Sequence, residues 1–306
     1  MKYKWLSAFL GLLIILFGVY YILDPENKEL NETVRARLGG TYIKLSDGIT
    51  HYKLDGPNDG KVVVLVHGGT IPIWTWDKQV KALKDAGYRV LSYDQYGRGY
   101  SDRPDLTYDQ ELYKRQLLEL VDKLALTKPF DLIGLSVGGG TSVNFTARYP
   151  HRVRKLVMIS PLINNFKVPS FFRIPVFGEF IARLIGVRVI VNRFVSLLEK
   201  NPESEKYTKL FVEQTTYKGF QRSILSMLRN DAVGDYSKAY QIVGKQKRDI
   251  LLIWGTADTE ITKEMIKDIR SFIPHLKFNP VEGVGHGIVC QKPDTVNSLI
   301  ISFLQQ

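Results

Sequence analysis

Phe130-Asp-Leu-Ile-Gly134-Leu-Ser136-Val-Gly138-Gly-Gly-Thr141 is the stretch on which the reading of this chain turns. Phe130 to Leu135 is a short apolar run of the kind that forms a strand buried on both faces, and helical spacing follows from Gly138 to Tyr149. The serine therefore falls on the corner between a strand and a helix. Gly-x-Ser-x-Gly in that context predicts a nucleophile elbow, a tight turn that lifts the Ser136 hydroxyl into a crevice and aims the Val137 amide at the same point. Gly134 and Gly138 leave space that side chains two positions either side of the serine would fill.

A serine hydroxyl is a weak nucleophile without an adjacent base, so a histidine has to reach it from elsewhere in the fold. Five are present. His51 lies in an early strand and His151 and His275 in turns, all read as surface or edge histidines, while His67 ends a strand and braces the loop that begins His-Gly-Gly-Thr70. His286 remains, flanked by Gly285 and Gly287 after the last strand, where a pliant backbone presents an imidazole at the crevice. The third member is a carboxylate that fixes the imidazole tautomer. Asp258 stands three residues past the strand ending at Gly255; Glu260 is a close alternative, and capping of the helix near Thr262 is the other use for Asp258. The loop after the strand 62–66 offers the Gly69 amide, with no Cβ in front of it, as an oxyanion donor beside Val137. This chemistry calls for no metal and no organic cofactor.

Outward from the elbow, short apolar runs alternate with amphipathic stretches, the pattern of a sheet with crossover helices. Strands are expected at 42–45, 50–54, 61–67, 88–94, 130–135, 155–160, 249–255 and 276–282, and most of the sheet should be parallel. Helices are expected at 77–86, 107–126, 138–149, 262–272 and 293–305. Between Pro161 and Arg248 the alternation stops and residues recur at helical spacing. The expected organisation is a core over 41–161 and 249–306, a helical cap over 162–248 and a polar linker over 25–40.

The net charge of +11 invites a nucleic-acid reading, but no basic run or nucleic-acid module accompanies it, and no nucleic-acid partner is expected. The cap segment holds fifteen Lys and Arg against seven Asp and Glu. Cys290 is the one cysteine, so neither an internal disulfide nor a cysteine zinc site can form. Trp5 to Leu23 carries no charge and as a helix approaches bilayer thickness. With Lys2 and Lys4 before it and Asp24 and Glu26 after it, residues 1–24 are expected to be a retained transmembrane anchor and the membrane a partner, the amino terminus being cytoplasmic and the catalytic domain exocytoplasmic.

His67-Gly-Gly-Thr70, the loop 93–104 (YDQYGRGYSDRP), 134–139 (GLSVGG), 254–260 (WGTADTE) and 283–287 (GVGHG) resemble the ordered landmarks of the α/β-hydrolase superfamily, from about Tyr42 to the carboxyl terminus. The resemblance implies an α/β fold, a mostly parallel eight-stranded sheet flanked by helices with a helical cap insertion. It also implies the chain order Ser136, Asp258, His286 for the catalytic residues. Asp94, Gly97, Arg98, Gly99, Ser101 and Asp102 match a loop that is structural in relatives. Serine at the elbow, where dehalogenase and epoxide-hydrolase relatives carry aspartate, implies acyl-enzyme chemistry. Gln291 departs from the pattern, since relatives often carry Glu a few residues after the histidine. The expected activity is that of a serine esterase, monoacylglycerol-lipase-like, on small-molecule esters with apolar acyl groups. Trp74, Trp76 and the cap residues Phe166, Phe171, Phe172, Phe177 and Phe180 are expected to shape the acyl pocket. Carbon–carbon bond hydrolysis, amidase or perhydrolase activity, or ligand binding without turnover, fit the same landmarks.

Overall fold

The computed structural model describes residues 2–22, 24–164, 168–198 and 203–306; Phe166 lies outside them. One mixed sheet organises the chain, with strands β1 (Thr41–Lys44), β2 (Ile49–Asp55), β3 (Val62–Val66), β4 (Arg89–Tyr93), β5 (Phe130–Leu135), β6 (Val153–Ile159), β7 (Ile250–Gly255) and β8 (Lys277–Val281). Their order is β1-β2-β4-β3-β5-β6-β7-β8. The β1–β2 and β2–β4 pairs are antiparallel and the rest parallel. Crossover helices cover both faces, which is why the central strands read as unbroken apolar runs. Leu132, Leu156 and Leu252 pack on one side with Leu117, Val143 and Phe145. Their neighbours Ile133, Val157 and Leu251 pack on the other side with Trp76, Leu83 and Ile300.

Before the sheet come α1 (Lys2–Ile22) and α2 (Glu32–Leu38), and within it α3 (Asp77–Asp85), α4 (Gln110–Lys123) and α5 (Val137–Arg148). Between β6 and β7 the chain is helical, with α6 (Phe177–Ile181), α7 (Val187–Leu197), α8 (Ser204–Gln214), α9 (Phe220–Arg229) and α10 (Ser237–Gly244). Helices α11 (Lys263–Phe272), α12 (Ile288–Gln291) and α13 (Pro293–Gln305) complete the chain.

The membrane expectation is corrected. Among the described residues no helix is long and apolar enough to cross a membrane. A span takes about 20 consecutive, predominantly apolar residues, and of the 21 residues of α1 the first turn is spent on Lys2 and Lys4. The transmembrane anchor over 1–24, the membrane as partner through it and the exocytoplasmic placement fall together. Trp5, Phe9, Ile14 and Phe17 are exposed along α1, and its carboxyl end rests on the insertion, where the Tyr20 ring stacks on Phe180 at 6.4 Å and lies under Arg183 at 3.9 Å. Nor is 25–40 only a linker. Asn31 caps α2 by accepting from the Val34 amide at 3.0 Å, and the Glu26 carboxylate accepts from the Gly219 and Gln221 amides at the start of α9. Seven helical residues are too few for periodicity to reveal.

Register brings the functional loops together. Val66 pairs with Gly134, so the loop after β3 lies beside the elbow, and Gly255 pairs with Val281, so the loops after β7 and β8 leave the sheet level with one another. At the elbow a Cβ on Gly134 would sit 2.3 Å from the Gly138 carbonyl oxygen, and one on Gly138 would sit 2.3 Å from the oxygens of both Val66 and His67. His67, wholly buried, carries the loop after β3. Its Nε2 accepts from the Gln95 amide at 2.9 Å, which leaves the proton on Nδ1 to be donated to the Gly68 carbonyl at 2.7 Å. Burial, reinforced by the nearby Arg98 charge and opposed by Asp94, pulls its pKa down to about 4, so the ring is neutral.

Two expectations follow for stability. Gly138→Ala places a methyl against rigid backbone and should cost about 3 kcal/mol or more, while Gly186→Ala, whose methyl meets only the Ala182 side chain at 3.5 Å, should be neutral or slightly stabilising. Urea denaturation of the two variants against the parent checks this. Because His67 is held below its unfolded pKa of 6.5, its contribution is complete above pH 6.5 and is lost as pH falls toward 4. The loss should amount to roughly 3 kcal/mol. Denaturation at pH 7 and pH 4.5 should show a smaller acid loss in His67→Gln, and an equal loss in both proteins would contradict the assignment.

Candidate active site

Ser136 occupies the corner between β5 and α5 with φ 55° and ψ −121°, a region closed to most residues with a side chain. The turn persists because its polar groups are all engaged: the Ser136 amide donates to Ile159 at 3.1 Å, and its carbonyl accepts from the amides of Gly139, Gly140 and Leu162. The side chain is thereby forced out of the sheet toward the loops that follow β7 and β8.

His286 meets it there. The imidazole Nε2 lies 3.0 Å from Ser136 Oγ, and Nδ1 lies 2.8 Å from Asp258 Oδ2. With the Asp258 side chain fully enclosed, burial alone would raise its pKa. The hydrogen bond and charge of His286, with the Ile261 and Glu260 amides, outweigh that burial and hold the carboxyl below the usual carboxylate range. An ionised Asp258 keeps the imidazole proton on Nδ1 and leaves Nε2 free to accept the serine proton. Its other oxygen accepts from the Glu260 and Ile261 amides at 2.9 and 3.0 Å. Asp258 does not cap α11; Thr262 does. Glu260 approaches the opposite ring nitrogen, 3.5 Å from Nε2, and pairs with Arg193 of α7.

Gly68 and Gly69 lie against the elbow. A Cβ on Gly68 would be 3.4 Å from Ser136 Cβ, and one on Gly69 would be 3.0 Å from Val137 Cγ2. Among the described residues neither the Gly69 nor the Val137 amide has a hydrogen-bond acceptor, and both line the same cavity as Ser136 and His286. Two such N–H groups, on residues that line one cavity with a serine–histidine pair, are of the kind that can hold the negative oxygen of a tetrahedral adduct.

The cavity has a volume of about 320 Å³ and is walled chiefly by apolar side chains, among them Ile190 and Phe194 of α7 and Phe220, Ile224 and Met227 of α9. Arg193 and Glu260 supply its charged edge. Neither tryptophan singled out by the sequence lines it. Trp76 is fully buried in the core with Leu83, and Trp74 stacks on Tyr207 at 5.1 Å and meets Phe194 edge-on at 5.3 Å. The intervening Thr75 reaches the cavity instead. A short helical turn over Ile73–Trp76 turns the two rings away. Cys290 also lines the cavity, but burial pushes its thiol up to about 11, so it is protonated at neutral pH and no rival nucleophile.

The remaining histidines separate clearly. His151 and His275 are exposed, whereas His51, read as an edge residue, is buried and lies 2.7 Å from Asp94. Asp94 also accepts from the Ile73 and Tyr100 amides, tying the loop after β4 to the loop after β3. Gln291 donates to the Leu197 carbonyl at 3.3 Å, a link from α12 to the insertion.

Comparison with known proteins agrees with this architecture. A family model described as alpha/beta hydrolase fold matches residues 61–293. A non-heme chloroperoxidase of Streptomyces lividans is 26% identical over 283 residues, covering 86% of this chain and 99% of its own. A cis-3-alkyl-4-alkyloxetan-2-one decarboxylase of Shewanella oneidensis is 27% identical over 287 residues, covering 87% and 88%. The enol-lactonase of Burkholderia xenovorans superposes with a TM-score of 0.74 at 21% identity, covering 87% of this chain and all of that one. With its sheet order, its elbow and this match over most of its length, the chain belongs to the alpha/beta hydrolase fold family.

Proposed function

We propose that the chain is a serine hydrolase cleaving carboxylic esters with apolar acyl groups through an acyl-enzyme. The observation that carries the reading is the continuous chain Asp258–His286–Ser136, at 2.8 and 3.0 Å, opening into an apolar cavity. In this mechanism Ser136 Oγ attacks the ester carbonyl as His286 Nε2 takes its proton. The tetrahedral oxyanion accepts from the Gly69 and Val137 amides. Collapse breaks the bond to the alkoxide, which leaves with the proton from His286. Water then attacks the acyl-serine with His286 again as base, and the carboxylic acid departs. Asp258 orients the imidazole and stabilises its charged form. One relative is in keeping with an ester, since the oxetan-2-one in its name is a cyclic ester.

A fluorophosphonate should label the parent and not Ser136→Ala; no labelling of the parent would favour a binding protein without turnover. Asp258→Asn should lower kcat by about three to four orders of magnitude through the wrong tautomer. Glu260→Gln, which touches the other ring nitrogen, should lower it by less than about tenfold. In a series of p-nitrophenyl esters, kcat/KM should rise from acetyl to longer chains, and equal or better rates on acetyl would defeat the apolar-acyl assignment. The same preparations assayed on amides, vinylogous diketones and hydrogen peroxide with a carboxylic acid separate esterase from amidase, carbon–carbon hydrolase and perhydrolase.

A further inference from the structure

The loop that carries the Gly69 amide contains two glycines in succession, and glycine by itself holds no orientation. In a trans peptide the C=O and N–H point to opposite sides, so fixing a carbonyl fixes the amide of the next residue. Three successive carbonyls here are each held by a side chain. His67 Nδ1 donates to Gly68, Arg98 Nε donates to Gly69, and Gln214 Nε2 donates to Thr70 at 3.0 Å. The three clamps come from different parts of the chain: the loop itself, the loop after β4, and α8 of the insertion.

Arg98 is the unusual one. It is 1% exposed, and among the described residues it has no ion pair with a carboxylate. Its donors end on neutral acceptors: the Gly69 and Gly97 carbonyls and, at 2.7 Å, the Ser223 hydroxyl of α9, with Nη2 3.1 Å from the Met227 sulfur. A buried cation without a counter-charge is expensive. Set behind an oxyanion loop, it also presents positive potential where negative charge develops during acyl transfer. Gln214, equally buried, spans the same gap from α8, with its Oε1 accepting from the Gly99 amide at 3.0 Å while its Nε2 donates to Thr70.

We propose that Arg98 and Gln214 are positioning residues for the oxyanion loop, which they lock to α8 and α9, so that the helical insertion braces that loop as well as walling the cavity. This rests on the serine-hydrolase reading and deepens it. The two residues touch no reacting atom, and the peptide that carries the Gly69 amide is oriented by His67; Arg98 and Gln214 hold the two peptides that follow it, Gly69–Thr70 and Thr70–Ile71, and so anchor the loop just past the donor.

The test uses the full chain in four forms: parent, Arg98→Met, Arg98→Lys and Gln214→Met. The endpoint of fluorophosphonate labelling counts competent sites, and kcat per labelled site and KM are then measured on one p-nitrophenyl ester. Arg98→Met and Gln214→Met should each lower kcat per labelled site by about 10- to 100-fold with KM within about threefold, and Arg98→Lys should recover part of the Arg98→Met loss. A residue serving stability alone would reduce the number of labelled sites and leave turnover per site intact. Turnover per site within threefold of the parent in both Met variants overturns the inference. If Arg98→Met yields no labelled protein, Gln214→Met, which preserves side-chain volume, decides alone. Failure of the parent itself to be labelled overturns the hydrolase reading, and the inference with it.

Discussion

The backbone of Ser136 is the constraint from which the site follows. A residue with φ 55° and ψ −121° costs about 1–3 kcal/mol and survives only where its surroundings over-determine it. Four hydrogen bonds on its own peptide groups and two glycine contacts with backbone oxygens do so here. Relaxing the turn would swing Oγ back toward the sheet and the Val137 amide away from the cavity at once. The position of the Ser136 hydroxyl and that of the Val137 amide are one geometric fact at this corner, which explains why the tolerance for side chains around it is so small.

The imidazole is the second fixed point, and the two carboxylates near it show how environment divides roles. Asp258 faces Nδ1, is enclosed, and accepts two backbone amides as well as the ring proton. Glu260 is two residues away in sequence, faces Nε2, and is engaged by an arginine from α7. Only the first can fix the tautomer in which Nε2 accepts a proton from serine. Sequence position left both open. The turn 258–261, folded around the Asp258 carboxylate, distinguishes them.

The sheet was legible because buried parallel strands announce themselves as apolar runs, and the eight expected strands agree with the observed ones to within two residues at each end. That Ser136, Asp258 and His286 would meet was legible for a related reason: each follows such a run at the carboxyl edge, where a short loop has little freedom in where it can go. The misses are where tertiary contact overrides local pattern. Trp74 and Trp76 stand next to the oxyanion loop in sequence, yet a single turn of tight helix rotates both away from the cavity. His51 resembled an edge residue because nothing in its neighbourhood revealed that Asp94, 43 positions on, would close over it. Gln214 carried no signal, and Arg98 was marked only as part of a loop that is structural in relatives, since a buried guanidinium that binds carbonyls looks in sequence like any surface arginine.

The basic surplus of the insertion has a structural use that its composition alone did not suggest. Arg183 pairs with Asp24 at 2.7 Å, Lys218 with Glu29 at 2.5 Å, Arg222 with Asp105 and Arg193 with Glu260, and every one of those carboxylates lies outside the insertion. Pairs as exposed as Lys218–Glu29 add little to stability. What such contacts do is fix register, because a displaced helix loses several partners together. Glu26 adds a charge-assisted bond of the same kind at the start of α9. Helix α9 walls the cavity with Ile224 and Met227 and also holds Arg98 through Ser223. The amino-terminal segment therefore bears on the loop after β3 through one packed helix, without touching Ser136, Asp258 or His286.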